Sequence, residues 1–341
     1  MLSFVNDYSA GAHPKVFERL AETNAVKTVG YGEDEYCAAA KEKIREACAC
    51  PDAQIYFLQG GTQTNQIAID TMLEPGEGML CAETGHINVH EAGAIEFCGH
   101  KVLALPTDNG KITAGQVRDY CARFYADESH EHEVFPGGVY VTHATELGGV
   151  YNREELAELR RVCDEYSLVL YLDGARLAYA LGCGESDLTL ADIARLTDAF
   201  YIGGTKCGAL FGEALVFTKN NMPRRFITRV KQHGAMSAKG RLLGIQFDAL
   251  FTDGLYWEIG RQAVAKADAI KKILREKGYE FFIDSPTNQI YIVVDNAKKA
   301  ELAKSVVFSF WEYIDENRTA IRLVTDWATK DEDIAALERL L

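Results

Sequence analysis

The chain has 341 residues, 48% of them hydrophobic, which is enough for a sizeable core and for about two domains. Fifty acidic residues against 36 basic ones give a formal net charge of −14. That balance speaks against nucleic acid as the main partner, because phosphate backbones are bound by clustered positive charge. The nine cysteines form no CxxC pair, so a zinc ribbon or thioredoxin-like motif is not expected, and reduced, mostly buried thiols are. The opening MLSFVNDYSAGAHP lacks a basic stretch followed by an apolar one, and no window approaches the ~20 apolar residues that span a bilayer. The expectation is an acidic, soluble, cytoplasmic protein of enzyme size with no membrane partner.

In chain order, an arm over 1–20 precedes a stretch in which apolar runs alternate with helical patterns. The runs are Gln54–Leu58, Gly78–Ala82, Lys101–Leu105, Gly138–Thr142, Leu168–Leu172, Ala199–Gly203 and Ala214–Thr218. Several are continuous rather than alternating, as in strands covered on both faces. Helical stretches such as Thr62–Met72, Ile112–Tyr125 and Asn152–Tyr166 lie between them. This order predicts an α/β domain over 21–245 with a mostly parallel, seven-stranded sheet. After about residue 235 the pattern changes to two long helices (Lys239–Phe251, Tyr256–Lys277), a strand at Gln289–Val294 and a helix around Ala297–Val307. Strands at Phe310–Ile314 and Ala320–Val324 and a last helix from Asp331 follow, giving a smaller α+β domain over 246–341.

Four local features carry chemistry. Gln59-Gly60-Gly61-Thr62-Gln63-Thr64-Asn65 follows a strand and opens a helix, so it offers free N–H groups, a positive dipole end and two hydroxyls to an anion. Taken alone it is equally an ordinary β-turn-α with an N-cap threonine. His86 follows the run at 78–82, where a titratable ring could stack on a flat cofactor or move a proton. His90, four residues on, brings no HExxH or added carboxylate pattern, and the His130/His132 pair sits in an acidic SHEHE loop; no metal is expected. Asp173 ends an apolar strand where open α/β sheets bind ligands; the alternative is a turn cap paired with Arg176. Lys206 follows the strand end and two glycines in Ala199-Phe-Tyr-Ile-Gly-Gly-Thr-Lys206-Cys-Gly, where desolvation suits an amine to Schiff-base formation; the alternative is a solvent-facing turn lysine. A phosphate cradle, a stacking ring, a carboxylate and a reactive lysine together fit pyridoxal 5'-phosphate better than a nucleotide.

The chain resembles the PLP-dependent, fold-type-I family of β-eliminating lyases and threonine aldolases, over nearly its whole length. The resemblance is carried by VGYGED (29–34), GGTQTNQIA (60–68), GHI…HEAGA (85–94), TELGGVY (145–151), LDGARLAYA (172–180), GGTKCG (203–208) and IRLVT (321–325), with Lys206 standing 33 residues after Asp173. It implies a PLP-dependent transferase-like large domain and retro-aldol cleavage of L-threonine or L-allo-threonine to glycine and an aldehyde. The rival reactions on the same cofactor are β-elimination, racemisation and transamination. By the same resemblance, Lys206 carries the Schiff base, Asp173 pairs with the pyridine nitrogen and His86 stacks on the ring. Gly61 and Thr62 take the phosphate, Arg176 lies near the phenolic oxygen, and Arg322 binds the substrate carboxylate, with Arg318 as its rival. Tyr31 reaches the site, often across a dimer interface, so a homodimer or homotetramer is implied. In the arm, where many members read RSDT, the chain reads VNDYSA, so of Asn6, Asp7 and Ser9 only Asp7 aligns. Many aldolases carry a histidine after the strand at 138–142; TEL puts Glu146 at the nearest motif position, leaving His86, Glu146 or water to serve the β-hydroxyl. MSAKG replaces MRQSG, with Lys239 in the arginine's place, and six basic residues lie at 224–241 (Arg224, Arg225, Arg229, Lys231, Lys239, Arg241), as charge for a cofactor phosphate or as a basic helix face.

Overall fold

The computed structural model describes residues 1–341. All seven apolar runs become strands of one sheet: β1 (Gln54–Leu58), β2 (Glu77–Ala82), β3 (Lys101–Leu105), β4 (Phe135–Thr142), β5 (Val169–Asp173), β6 (Ala199–Gly203) and β7 (Glu213–Phe217). Their order is β1-β7-β6-β5-β4-β2-β3. Only β7 runs antiparallel to its neighbours; the other pairings are parallel. The carboxyl ends of the six like-directed strands therefore open on one edge. Strands β6 and β7 are buried throughout, which explains their unbroken apolar sequence.

The covering helices start where side chains can cap them. Thr113 and Gln116 form a capping box at the head of Ala114–Ala126, and Asn152 and Glu155 do so for Arg153–Glu165. The latter helix buries Leu156, Leu159, Val162 and Cys163, three and four residues apart, against the sheet. All nine cysteines are free thiols, and only Cys50 and Cys98 are not fully buried.

The second unit is a four-stranded antiparallel sheet of β8 (Glu280–Ile283), β9 (Gln289–Asp295), β10 (Ser309–Tyr313) and β11 (Arg318–Val324), in the order β10-β11-β9-β8. The helix Leu255–Glu276 serves both cores. Ile259 and Ala263 belong to the large one, while Ala267, Ile270 and Leu274 pack with Ile290, Ile292, Ile321 and Leu323 of the small sheet. It crosses the helix Leu177–Gly182 at glycine because nothing larger fits: a Cβ on Gly260 would lie 2.0 Å from the Ala178 carbonyl oxygen.

Two elements differ from expectation. The helix expected over 297–307 stops at Leu302, and Val306–Val307 pairs in parallel with Leu2–Ser3 at the start of the chain. The Phe4 amide donates to Val307 O at 2.8 Å, and the Val324 amide to Phe4 O at 2.8 Å, with Phe4 buried in the small core. The arm is thus stapled to the C-terminal unit and continues toward the large sheet's open edge. Edge strand β8 was not expected; its Glu-Phe-Phe-Ile carries no alternation.

Candidate active site

A cavity of about 970 Å³ opens between the two units at the carboxyl edge, walled by His86, Glu146, Arg176, Lys206 and Arg322. Lys206 follows β6 through a tight turn. The Gly204 amide and Thr205 Oγ1 donate to the buried Glu213 carboxylate at 2.9 and 2.7 Å, and Tyr179 OH donates to the Lys206 carbonyl. Burial, reinforced by the Arg176 guanidinium, lowers the Lys206 pKa, against the pull of Asp7, Asp173 and Glu213. Burial raises Glu213 to about 7. It also pushes the neighbouring Cys207 thiol up to about 12, so that sulfur is inert.

Asp173 ends β5 and is 1% exposed. Its Oδ1 accepts from the Ala175 amide at 2.9 Å, and its Oδ2 from Asn65 Nδ2 at 2.9 Å and Tyr140 OH at 2.6 Å. Arg176 does not pair with it. Arg176 forks onto Asp7 of the arm, with Nε to Oδ2 at 2.8 Å and Nη2 to Oδ1 at 3.1 Å, and Asn288 Nδ2 adds 3.0 Å to the same carboxylate. Burial alone would raise the Asp7 pKa, but Arg176 and Lys206 hold it below the usual carboxylate range.

The loop after β2 presents His86. Its Nδ1 lies 2.7 Å from Glu91 Oε1, and its backbone amide donates to Glu146 Oε1 at 3.0 Å. Burial would lower the His86 pKa; Glu91 and Asp173 outweigh it and raise it. Glu146, raised by burial, also accepts from Thr142 Oγ1 at 3.0 Å and leaves Oε2 buried without a partner. A histidine does follow β4 directly: His143, which the TEL motif passes over. Its Nδ1 accepts from the Tyr151 amide at 3.2 Å, burial and Lys111 drive its pKa down to about 3, and it does not line the cavity.

From the small sheet, Arg322 on β11 donates to Gln289 Oε1 at 3.1 Å and sits 5.4 Å from the centroid of the Trp311 ring, with Nε buried and unpartnered. Arg318 is spent on Asp315 and Glu280 outside the cavity. Gly61 and Thr62 begin the helix Gly61–Met72. No side chain caps it at Gly60, and a Cβ there would meet nothing within 4 Å. Tyr31 is not brought to this cavity: it is 50% exposed, with Lys231 5.6 Å from its ring centroid. Nor do the basic residues of 224–241 reach it; Arg229 lies 3.6 Å from Asp70, and Arg241 donates to the Val26 and Thr23 carbonyls. Asp70, Cys98 and His233 meet on another face, where His233 and Arg229 already pair with Asp70.

A mostly parallel sheet with lysine, carboxylate and histidine at its carboxyl edge, facing a small antiparallel unit, is the architecture of fold-type-I enzymes of pyridoxal phosphate. Aspartate aminotransferase from Thermus thermophilus superposes with a TM-score of 0.71 at 16% identity, over all of this chain and 92% of that one, a likeness of fold alone. The chain belongs to the beta-eliminating lyase family, whose model matches residues 4–245. It is 41% identical to the structure of a threonine aldolase from Leishmania major, with a TM-score of 0.95, covering 100% of this chain and 99% of that one. It is 28% identical over 341 residues to a low specificity L-threonine aldolase from a Pseudomonas species, covering 98% of this chain and 95% of the relative.

The residues present fit the family's cofactor. An uncapped helix start with open space at Gly60 suits a phosphate, the buried carboxylate of Asp173 suits a ring nitrogen, and Lys206, with a lowered pKa that Asp173 bears on, opens on the cavity.

Proposed function

We propose that the chain is a PLP-dependent lyase that cleaves L-threonine and L-allo-threonine, and related β-hydroxy-α-amino acids, to glycine and an aldehyde. The observation that carries this reading is the meeting of Lys206 and Arg322, from two separate sheets, on one cavity in a chain similar over its full length to threonine aldolases. In this reading Gly61 and Thr62 hold the phosphate, Asp173 the pyridine nitrogen, Arg176 lies by the phenolic oxygen, and His86 covers the ring. When bound, the cofactor supplies a sink for the electron pair released at Cα.

The chain's own groups do the rest. A Lys206 amine with a lowered pKa is a nucleophile in its neutral form. Arg322 lines the cavity with a planar guanidinium, a group shaped for an α-carboxylate. It thereby orients the Cα–Cβ bond for cleavage. The β-hydroxyl gives up its proton as Cβ becomes the aldehyde carbon, and Cα regains a proton to become glycine. Of the titratable groups lining the cavity, His86 and Glu146 are the ones we assign to that proton, with water as the alternative. The exposed Tyr31 and the basic stretch at 224–241, remote from their own cavity, support a homodimer or homotetramer in which they serve a neighbouring subunit. We likewise divide the chain into an arm at 1–20 and domains at 21–245 and 246–341, and place it in the cytoplasm.

The test is an absorbance scan of the purified protein, with products assayed as glycine plus aldehyde against pyruvate plus ammonia. Aldol products, lost in Lys206→Ala, are expected. Wild-type cleavage by that variant, or pyruvate and ammonia as the products, overturns the reading.

A further inference from the structure

Between the carboxylate of Asp173 and the imidazole of His86 runs a chain of buried polar groups. Asn65, on the helix that starts at the glycine cradle, donates from Nδ2 to Asp173 Oδ2 at 2.9 Å and to Glu91 Oε1 at 2.7 Å. The same Glu91 oxygen faces His86 Nδ1 at 2.7 Å. The Asn65 orientation is fixed independently, because its Oδ1 accepts from Tyr171 OH at 3.0 Å. Glu91 is shut off from solvent, its side chain 0% exposed, with Oε2 unpartnered. A buried carboxylate of this kind is costly unless a charged or strongly polar group needs it. Only two elements place its partners, the helix Gly61–Met72 and the short turn His86–Val89.

We propose that Glu91 and Asn65 are positioning residues: Glu91 holds the Nδ1–H of His86 so that Nε2 faces the cavity, and Asn65 ties Glu91 to Asp173, so that the ring-nitrogen carboxylate and the ring-face imidazole are set as one unit. The second half rests on the cofactor assignment above; the tautomer does not. The chemistry follows from the donor inventory. A carboxylate oxygen at 2.7 Å accepts, so Nδ1 donates, and the neutral ring then keeps its lone pair on Nε2. The Asn65 amide group spends one hydrogen on each carboxylate, which lets two acids approach in a dry site. The charged groups facing His86 are Glu91, Asp173, Glu146, Lys206 and His90, whose ring centroid is 5.6 Å away. Of these, only Glu91 touches the ring nitrogens.

The experiment is nitrogen-15 NMR of imidazole-labelled protein, first without cofactor, with His86 assigned by its loss in His86→Asn. The wild-type neutral ring is expected as the Nδ1–H tautomer; an Nε2–H tautomer overturns the proposal, and the tautomer itself is read in the wild-type protein. In Glu91→Gln the midpoint of His86 should move to lower pH, and equilibrium titration should show pyridoxal phosphate affinity falling roughly tenfold or more, as for a lost hydrogen bond to a charged group. An unchanged midpoint also overturns it. In Asn65→Ala the His86 midpoint and the pH dependence of the holoenzyme's visible band should move together; movement of one alone breaks the link between Glu91 and Asp173. A wild-type protein that binds no pyridoxal phosphate defeats the functional reading instead, and leaves the tautomer result standing.

Discussion

Replacing Asp7 by asparagine removes one charge while keeping the shape of the side chain. In the folded protein that charge is fully buried and faces a guanidinium that is itself only 10% exposed. Two of Arg176's donors and the Asn288 amide converge on it. Asparagine keeps one acceptor oxygen and turns the other toward Arg176 as a donor, which leaves a buried cation without a counter-charge. Removing one partner of a buried pair costs about 3–5 kcal/mol. With a urea slope of about 3 kcal/mol/M, the unfolding midpoint of the cofactor-free protein falls by about 1–1.7 M. The pH dependence carries the same signature. Burial would raise Asp7, but Arg176 and Lys206 hold its folded pKa below the ordinary 3.8. Its contribution is therefore complete above 3.8 and is lost as pH falls through the lowered folded value. Asp7→Asn should lose stability at pH 7 and show a flatter acid limb than the wild type. A midpoint within about 0.3 M of wild type, roughly 1 kcal/mol on the same slope, refutes the argument that this pair fastens the arm.

Three other outcomes follow from the geometry. Arg322→Lys keeps the charge but loses the fork, so KM for threonine should rise about tenfold or more with a smaller change in kcat; an unchanged KM removes Arg322 from carboxylate binding. Glu213 is raised from 4.5 to about 7 by burial, so the folded state favours its protonated form and stability should decline as pH rises from 4.5 through about 7; Glu213→Gln should remove that slope in pH-dependent denaturation, and a persisting slope assigns it elsewhere. Gly260→Ala forces a methyl group against the Ala178 carbonyl and should lower stability by about 1–3 kcal/mol or more, and a neutral melting temperature would mean the two helices part easily.

The large sheet was legible because its strands are covered on both faces and read as unbroken apolar runs, and Asp173 and Lys206 stood out as charges at the ends of such runs. The pairing of Leu2–Ser3 with Val306–Val307 was not, since two-residue strands show no periodicity and their partners lie at opposite ends of the chain. That pairing also cut short the helix expected through Val307. Asp7 was visible as a motif position, but nothing local could say that it takes Arg176 away from Asp173. Asn65 and Glu91 both lay inside motifs read for their glycines and histidines; their shared hydrogen bond spans 26 residues and two elements and needs coordinates to be seen. His143 directly follows an expected strand, yet only its burial beside Tyr151 shows that it turns from the cavity.

The stapled arm has a consequence for how the chain matures. Ser309 Oγ donates to Val5 O across 304 residues, and Asn288 reaches Asp7 across 281. The arm therefore waits for these partners until 281 to 304 further residues have been made. The large sheet can assemble during synthesis, but the wall of the cavity that fastens Asp7 closes only once the small sheet has been made. Until then Asp7 lacks the Asn288 amide and the cavity lacks Arg322, so a nascent or truncated chain that ends before β9 can own every residue of the large domain and still lack a finished pocket.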